Sequence, residues 1–229
     1  MHALGRILTH QGKYKDAEII LRQAFEGRQA SLGAMHPDTL GSHGDLASVL
    51  RDQDKFDESA KHQKEVVEGF EAMLGPRHPL TLVSKGNLSV IVAKLGDFKT
   101  AETLERAVVE DRKDILGHDH PDTITGEHNL GCLIQAQGRY DEAEELFRRS
   151  VSGYTKALGA EHVHTITATS LLATVLKDRG EFEESSILYQ RAYDGYISVL
   201  GQNHEKTIDC NRHLLECLEK MDRRATTKG

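Results

Sequence analysis

The chain has 229 residues, of which 28% are charged and 38% hydrophobic, with a formal net charge of -7. Interspersed signs and an acidic excess argue against a nucleic-acid partner, which needs a basic face. No stretch approaches the ~20 apolar residues of a membrane span, and the residues after Met1, with His2, Gly5 and Arg6 among them, make no signal-peptide core. The cysteines Cys132, Cys210 and Cys217 are odd in number. They are read as reduced thiols inside a cell, with the cytoplasm as the expected compartment and no membrane or nucleic-acid partner.

Taken in order, the elements repeat. Leu32-Gly33, Leu74-Gly75, Leu116-Gly117, Leu158-Gly159 and Leu200-Gly201 stand 42 residues apart, each followed by a histidine: His36, His78, His120, His162 and His204. The same period carries Leu46, Leu88, Leu130 and Leu172, and the aromatics Tyr14, Phe56, Phe98, Tyr140 and Phe182. Periodicity of this length with helical patterning inside each unit predicts an α-solenoid of stacked helix pairs.

Met1 falls by register inside the first helix A, whose proline-led start is missing, so residues 1–35 read as a partial repeat with an uncapped end and an upstream truncation is expected. Repeats follow over 36–77, 78–119, 120–161 and 162–203. In the first of these, Pro37 suits the opening helical position because its missing N–H costs nothing there, and Asp38 sits at the positive end of the helix dipole. Helix A should stop near Gln53. Glycines at the equivalent turns, Gly96, Gly138 and Gly180, permit the left-handed conformation that reverses the chain. Helix B is expected from about Phe56 to Leu74, roughly 28 Å long at 1.5 Å per residue, and Gly75 ends it.

Small residues at Ala47, Ser89, Gly131 and Ala173 match small residues at Ser59, Ala101, Ala143 and Ser185, so paired helices are expected to approach closely. Pro37, Pro79 and Pro121 give way to Val163 and Glu205, which predicts looser turns there. A capping helix is expected over 204–222 and a fraying tail over 223–229. The whole of 1–222 is read as one repeat array.

The five loop histidines are read as helix caps, since helical layers about 10 Å apart cannot share one metal. His118 with His120, and His162 with His164, lack further ligands, so no metal site is assigned. Cys210 and Cys217 lie two turns apart on one helical face, which favours apolar burial. Phosphate loops, zinc-protease motifs and nucleophile elbows are absent, and no catalytic residue or cofactor is assigned.

The order Asn129-Leu130-Gly131, Gly138-Arg139-Tyr140 and Ala143 resembles the tetratricopeptide repeat. The longer unit with Leu-Gly-x-x-His-Pro-x-Thr, intact at 74–81 and 116–123, is similar to the repeats of kinesin light chains. That resemblance implies an all-α right-handed superhelix of antiparallel helix pairs, with helix A lining a concave groove. It implies no motor attachment, because the heptad coiled coil of kinesin light chains has no counterpart here.

In such arrays the residue before the conserved leucine often bonds a bound peptide. The resemblance carries that role to Asp45, Asn87, Asn129, Leu171 and His213. Further groove positions by register include Arg6, Ser48, Arg51, Val90, Lys94, His128, Cys132, Gln135, Ser170, Thr174, Lys177 and Arg212. These vary from repeat to repeat while loop and core positions do not, as a ligand-fitted surface would. Asparagine carries both donor and acceptor and suits a peptide main chain; Arg51, Lys94 and Lys177 are expected to select acidic side chains. The leading expectation is a protein-interaction module with a peptide in its groove. Two alternatives stand beside it: an enzyme or small-molecule sensor using His128, Cys132 and Arg51, and a self-assembly scaffold joined through the uncapped first helix.

Overall fold

The computed structural model describes residues 1–228. Among them the chain forms eleven helices and no strand: α1 (His2–His10), α2 (Tyr14–Leu32), α3 (Pro37–Arg51), α4 (Phe56–Leu74), α5 (Pro79–Lys94), α6 (Phe98–Leu116), α7 (Pro121–Ala136), α8 (Tyr140–Leu158), α9 (Val163–Arg179), α10 (Phe182–Leu200) and α11 (Glu205–Lys228). Odd-numbered helices are helix A of each repeat and even-numbered ones helix B. The fold is the expected all-α repeat of helix pairs, and its contacts gather into two compact units that divide after Asp111, within α6.

The helix boundaries follow from local chemistry. Pro37, Pro79 and Pro121 each open a helix A, where proline loses no hydrogen bond. α4 spans Phe56–Leu74 as expected, and Gly75 at φ 89° stops it in a conformation that an L side chain resists. The loop that follows is closed by its own side chains. His78 Nδ1 accepts from Leu80 N at 3.2 Å, and Thr81 Oγ1 donates to Gly75 O at 2.9 Å. The histidine thus takes one of the unpaired N–H groups at the helix start, the task usually done by serine or aspartate.

This cap recurs at 3.2 Å for His36, His120, His162 and His204. The loops led by Val163 and Glu205 keep both bonds, with Thr165 Oγ1 at 2.7 Å from Gly159 O and Thr207 Oγ1 at 2.9 Å from Gly201 O. They are therefore not looser in their bonding, because the histidine and threonine rather than the proline close the loop. At the opposite turn, Asp54 takes φ 60° where the other repeats place glycine; aspartate is among the few residues that enter this region at modest cost.

In the first unit, Ala17, Leu21, Leu46, Val49 and Leu50 form a buried cluster with Leu8, Tyr14 and Phe25 against it. Leu40, Val66 and Phe70 form a second cluster. In the second unit, Leu130, Ile134, Leu146, Phe147, Leu172 and Leu176 share one cluster, and Ile166, Phe182, Tyr189, Tyr196 and Leu214 another. Full burial of a side chain such as Phe147 contributes about 1.5–3 kcal/mol. Cys210 and Cys217 are buried in the last cluster, and no disulfide joins the cysteines. Burial pushes the Cys210 thiol up to about 11.

Both chain ends add detail. The tail expected to fray over 223–229 instead continues α11 to Lys228, while residue 229 lies outside the described residues. Arg224 explains part of this extension: its Nη1 donates to Gly180 O at 2.9 Å, and its guanidinium lies 4.4 Å from the centre of the Phe182 ring. On α1, Leu4 and Ile7 are 48% and 53% exposed. None of the described helices is long and apolar enough to cross a membrane.

Candidate functional site

Helix A carries the expected site residues in both units, and each unit has its own set. On α5, Asn87, Val90 and Lys94 recur at three- and four-residue steps, which places them along one face. Asn87 and Val90 are half-buried and Lys94 is exposed. The Asn87 amide makes no hydrogen bond among the described residues, so donor and acceptor are both available. On α3, Asp45 is engaged: His2 Nε2 lies 2.6 Å from its carboxylate, out of line for a hydrogen bond, and Arg6 lies at 3.9 Å. Arg51 binds its neighbour Asp52 through Nε at 2.9 Å and Nη2 at 2.8 Å, at the end of its own helix.

In the second unit α7 presents His128, Asn129, Cys132 and Gln135, all half-buried. Asn129 repeats the condition of Asn87, with no hydrogen bond to its amide among the described residues. His128 sits beside Phe147 and Tyr154, with ring centres 5.7 and 6.1 Å away in edge-on contacts. Its Nδ1 is buried and lacks a hydrogen-bond partner. Burial, aided by His164 and Lys206, lowers its pKa to about 4, so the ring is neutral at pH 7 and can accept or donate one hydrogen bond but carries no charge. Tyr154 also stacks on His164 at 5.7 Å and donates to Thr125 Oγ1 at 3.1 Å.

On α9, Ser170, Thr174 and Lys177 lie along one face, but the structure already uses all three, Ser170 through a side-chain hydrogen bond with Cys210. Thr174 Oγ1 accepts from Tyr189 OH at 2.8 Å and donates to Ser170 O at 3.0 Å. Lys177 Nζ is 2.8 Å from His213 Nδ1 and 2.9 Å from Glu216 Oε2. Lys177, then His213, hold the Glu216 carboxyl below its ordinary value. Leu171 packs against the core instead of offering a polar group. Arg212 pairs with Asp209 at 2.5 Å.

The arrangement therefore separates amide chemistry from charge. Of the four cations Arg51, Lys94, Lys177 and Arg212, Lys94 alone has no ion-pair partner among the described residues. The trio suggested for a small-molecule site divides between the units, with Arg51 in the first and His128 and Cys132 in the second. Sequence reasoning did not single out Tyr154, Tyr189 or Glu216, whose contacts set the polarity of this face. Their signal was present only as helix-B aromatics and a charge in the middle of α11, which core packing and solvation also produce.

A family model of the tetratricopeptide repeat matches residues 1–72, 38–114, 106–156 and 122–198. Among solved structures, the chain is similar to a Podosopora anserina protein with nearly identical kinesin-light-chain TPR-like repeats, at 25% identity and a TM-score of 0.70, covering 87% of this chain and 94% of that one. BtubC (BKLC) from P. vanneervenii is similar at 13% identity and a TM-score of 0.69, covering 94% and 92%. PlcR from Bacillus thuringiensis, crystallised with the peptide PapR7 and DNA, is similar at 11% identity and a TM-score of 0.67, covering 94% of this chain and 72% of PlcR. The last two likenesses are of fold alone. No curated protein sequence matches the chain.

Proposed function

From the premise that this chain belongs to the tetratricopeptide repeat family, we propose that the helix-A face of each unit binds an extended segment of a protein partner, with Asn87 holding main-chain groups on the face of the first unit and Asn129 on that of the second. The observation that carries this reading is the state of these two amides. Both are half-buried and neither spends its donor or acceptor inside the described chain. A peptide N–H and C=O would satisfy both, and their remaining exposed surface would be desolvated in the complex. PlcR, which has this fold, was crystallised with a peptide, and that is compatible with the same mode here. Lys94 is the cation suited to reading an acidic side chain, while Lys177 supports the face through His213 and Glu216. A reducing, cytoplasmic setting suits the buried thiols of Cys210 and Cys217.

The test is to identify what copurifies with the chain by mass spectrometry and to titrate that segment by calorimetry. Changing Asn87→Ala together with Asn129→Ala should weaken binding, at about 1–3 kcal/mol for each amide whose bonds are desolvated, without moving the melting midpoint. Undiminished affinity would refute the amide clamp. Recovery of a small molecule, with binding lost on changing His128 or Cys132, would favour the sensor or enzyme instead. A second reading, self-association through α1, is favoured by exposed Leu4 and Ile7. Light scattering at high concentration tests it: a monomer unaffected by Ile7→Lys excludes it.

A further inference from the structure

His43 on α3 and His62 on α4 meet away from the face just described, with His43 Nε2 2.7 Å from His62 Nδ1. Glu65, one helical turn beyond His62, brings Oε2 to 3.7 Å from the same His43 nitrogen. One ligand atom from each residue falls within a set whose members are all within 4.8 Å of one another. His43 is 4% exposed and its ring is fixed by Phe25, stacked at 4.2 Å with planes 22° apart. The Glu65 side chain is 52% exposed, which leaves the open side of the cluster toward water.

We infer that His43, His62 and Glu65 form a binding site for a divalent transition-metal ion of the zinc class, with water completing the coordination. Two imidazoles and one carboxylate are a donor set that suits zinc, and an incomplete protein shell leaves a position for solvent. Bonds of about 2.0–2.1 Å put ligands of a tetrahedral ion roughly 3.3 Å apart, so the two rings need to separate by about 0.6 Å. That is within reach of partly exposed His62. Without metal the facing nitrogens share one proton in a hydrogen bond. On binding, the donating ring moves that proton to its far nitrogen through solvent and both facing lone pairs turn to the ion, with no net proton released.

The surroundings favour this use. His62 Nε2 lies 3.8 Å from Glu58 Oε1, and Arg22 anchors Glu58 at 2.5 Å. A carboxylate behind a ligating histidine fixes its tautomer and strengthens it as a donor. The cluster is also particular to one repeat. The equivalent helix-A positions hold Lys85 and Glu127, which form ion pairs with Glu71 and Lys113, and Leu104 and Leu146 replace His62 in register. A requirement of the repeat scaffold would have appeared in the other units.

The experiment uses the full chain stripped with a chelator and titrated with Zn2+ alone by calorimetry, with Co2+ absorption as a reporter of coordination. One equivalent of Zn2+ should bind, and Co2+ should give the intense visible bands of a four-coordinate site. His62→Ala should abolish both signals, and Glu65→Gln and Glu58→Gln should each weaken binding roughly tenfold or more. Circular dichroism establishes that these variants are folded, and their partly exposed side chains make them decisive even if a His43 variant does not fold. Absence of a 1:1 signal in the unaltered chain, binding that survives His62→Ala, or binding lost instead on His118→Ala or His164→Ala would overturn the inference.

Discussion

Ser185 Oγ donates to the carbonyl oxygen of Ala173 at 2.7 Å, tying α10 to α9 where both helices carry small residues. The same bond joins Ser59 to Ala47 at 2.7 Å and, with the helices exchanged, Ser89 to Ala101 at 2.9 Å. Each hydroxyl is buried, and its partner carbonyl keeps its second lone pair for the helix. Ser185→Ala should therefore cost about 1 kcal/mol, the net worth of one such bond. Urea unfolding at constant slope checks it; an unchanged midpoint would show that the bond adds nothing beyond close packing.

Gly131 and Ala143 occupy the equivalent contact without a hydroxyl, and Phe147 fills the space. A Cβ added at Gly131 would lie 3.0 Å from Phe147 Cε1. Gly131→Leu should overpack this site and cost about 1–3 kcal/mol. Thermal unfolding that leaves the midpoint unmoved would mean that Phe147 can swing aside at no cost.

His128 makes stability depend on pH. Its ring is neutral in the folded chain down to about 4, against an ordinary 6.5, because it is buried and faces His164 on α9, Lys206 on α11 and the uncharged Tyr154 on α8. Between these values the unfolded chain binds the proton first, so the contribution is steady above about pH 6.5 and turns unfavourable as pH falls toward 4. The full penalty is about 3 kcal/mol, of which about 2 kcal/mol has arrived by pH 5. Denaturant unfolding at pH 7 and pH 5 should show the decline, and His128→Gln should reduce it. An equal decline in the variant would assign the effect to other groups.

The 42-residue period made much of the fold legible because its signals are local. A proline or histidine at the start of each helix A, the recurring aromatic at the start of each helix B and the glycine at its end are all local marks, so α4 could be bounded at Phe56 and Leu74 from sequence. Other features depend on which side chains meet. Lys177 read as an available cation until His213 and Glu216, on another helix, enclosed it. Register concealed the His43, His62 and Glu65 cluster, because comparing repeats draws attention to what recurs and these residues do not. Arg224 was invisible for a related reason: its target, Phe182, lies 42 positions earlier, on a different helix.

Four of the five histidine–threonine loops close on themselves through both residues, the exception being the first, where Thr39 Oγ1 has no hydrogen-bond partner among the described residues. Thr207 reaches back six residues to Gly201 and His204 forward two to Lys206, with the same offsets at Thr81 and His78. The bonds made by the loop histidine and threonine themselves thus span no more than six residues. A gene encoding such a protein can consequently grow by tandem duplication of a 42-residue segment, since every new copy arrives with its own start and stop signals. Insertions of other lengths bring the glycine, histidine and threonine out of step with the helix ends, and selection on length then acts in whole units.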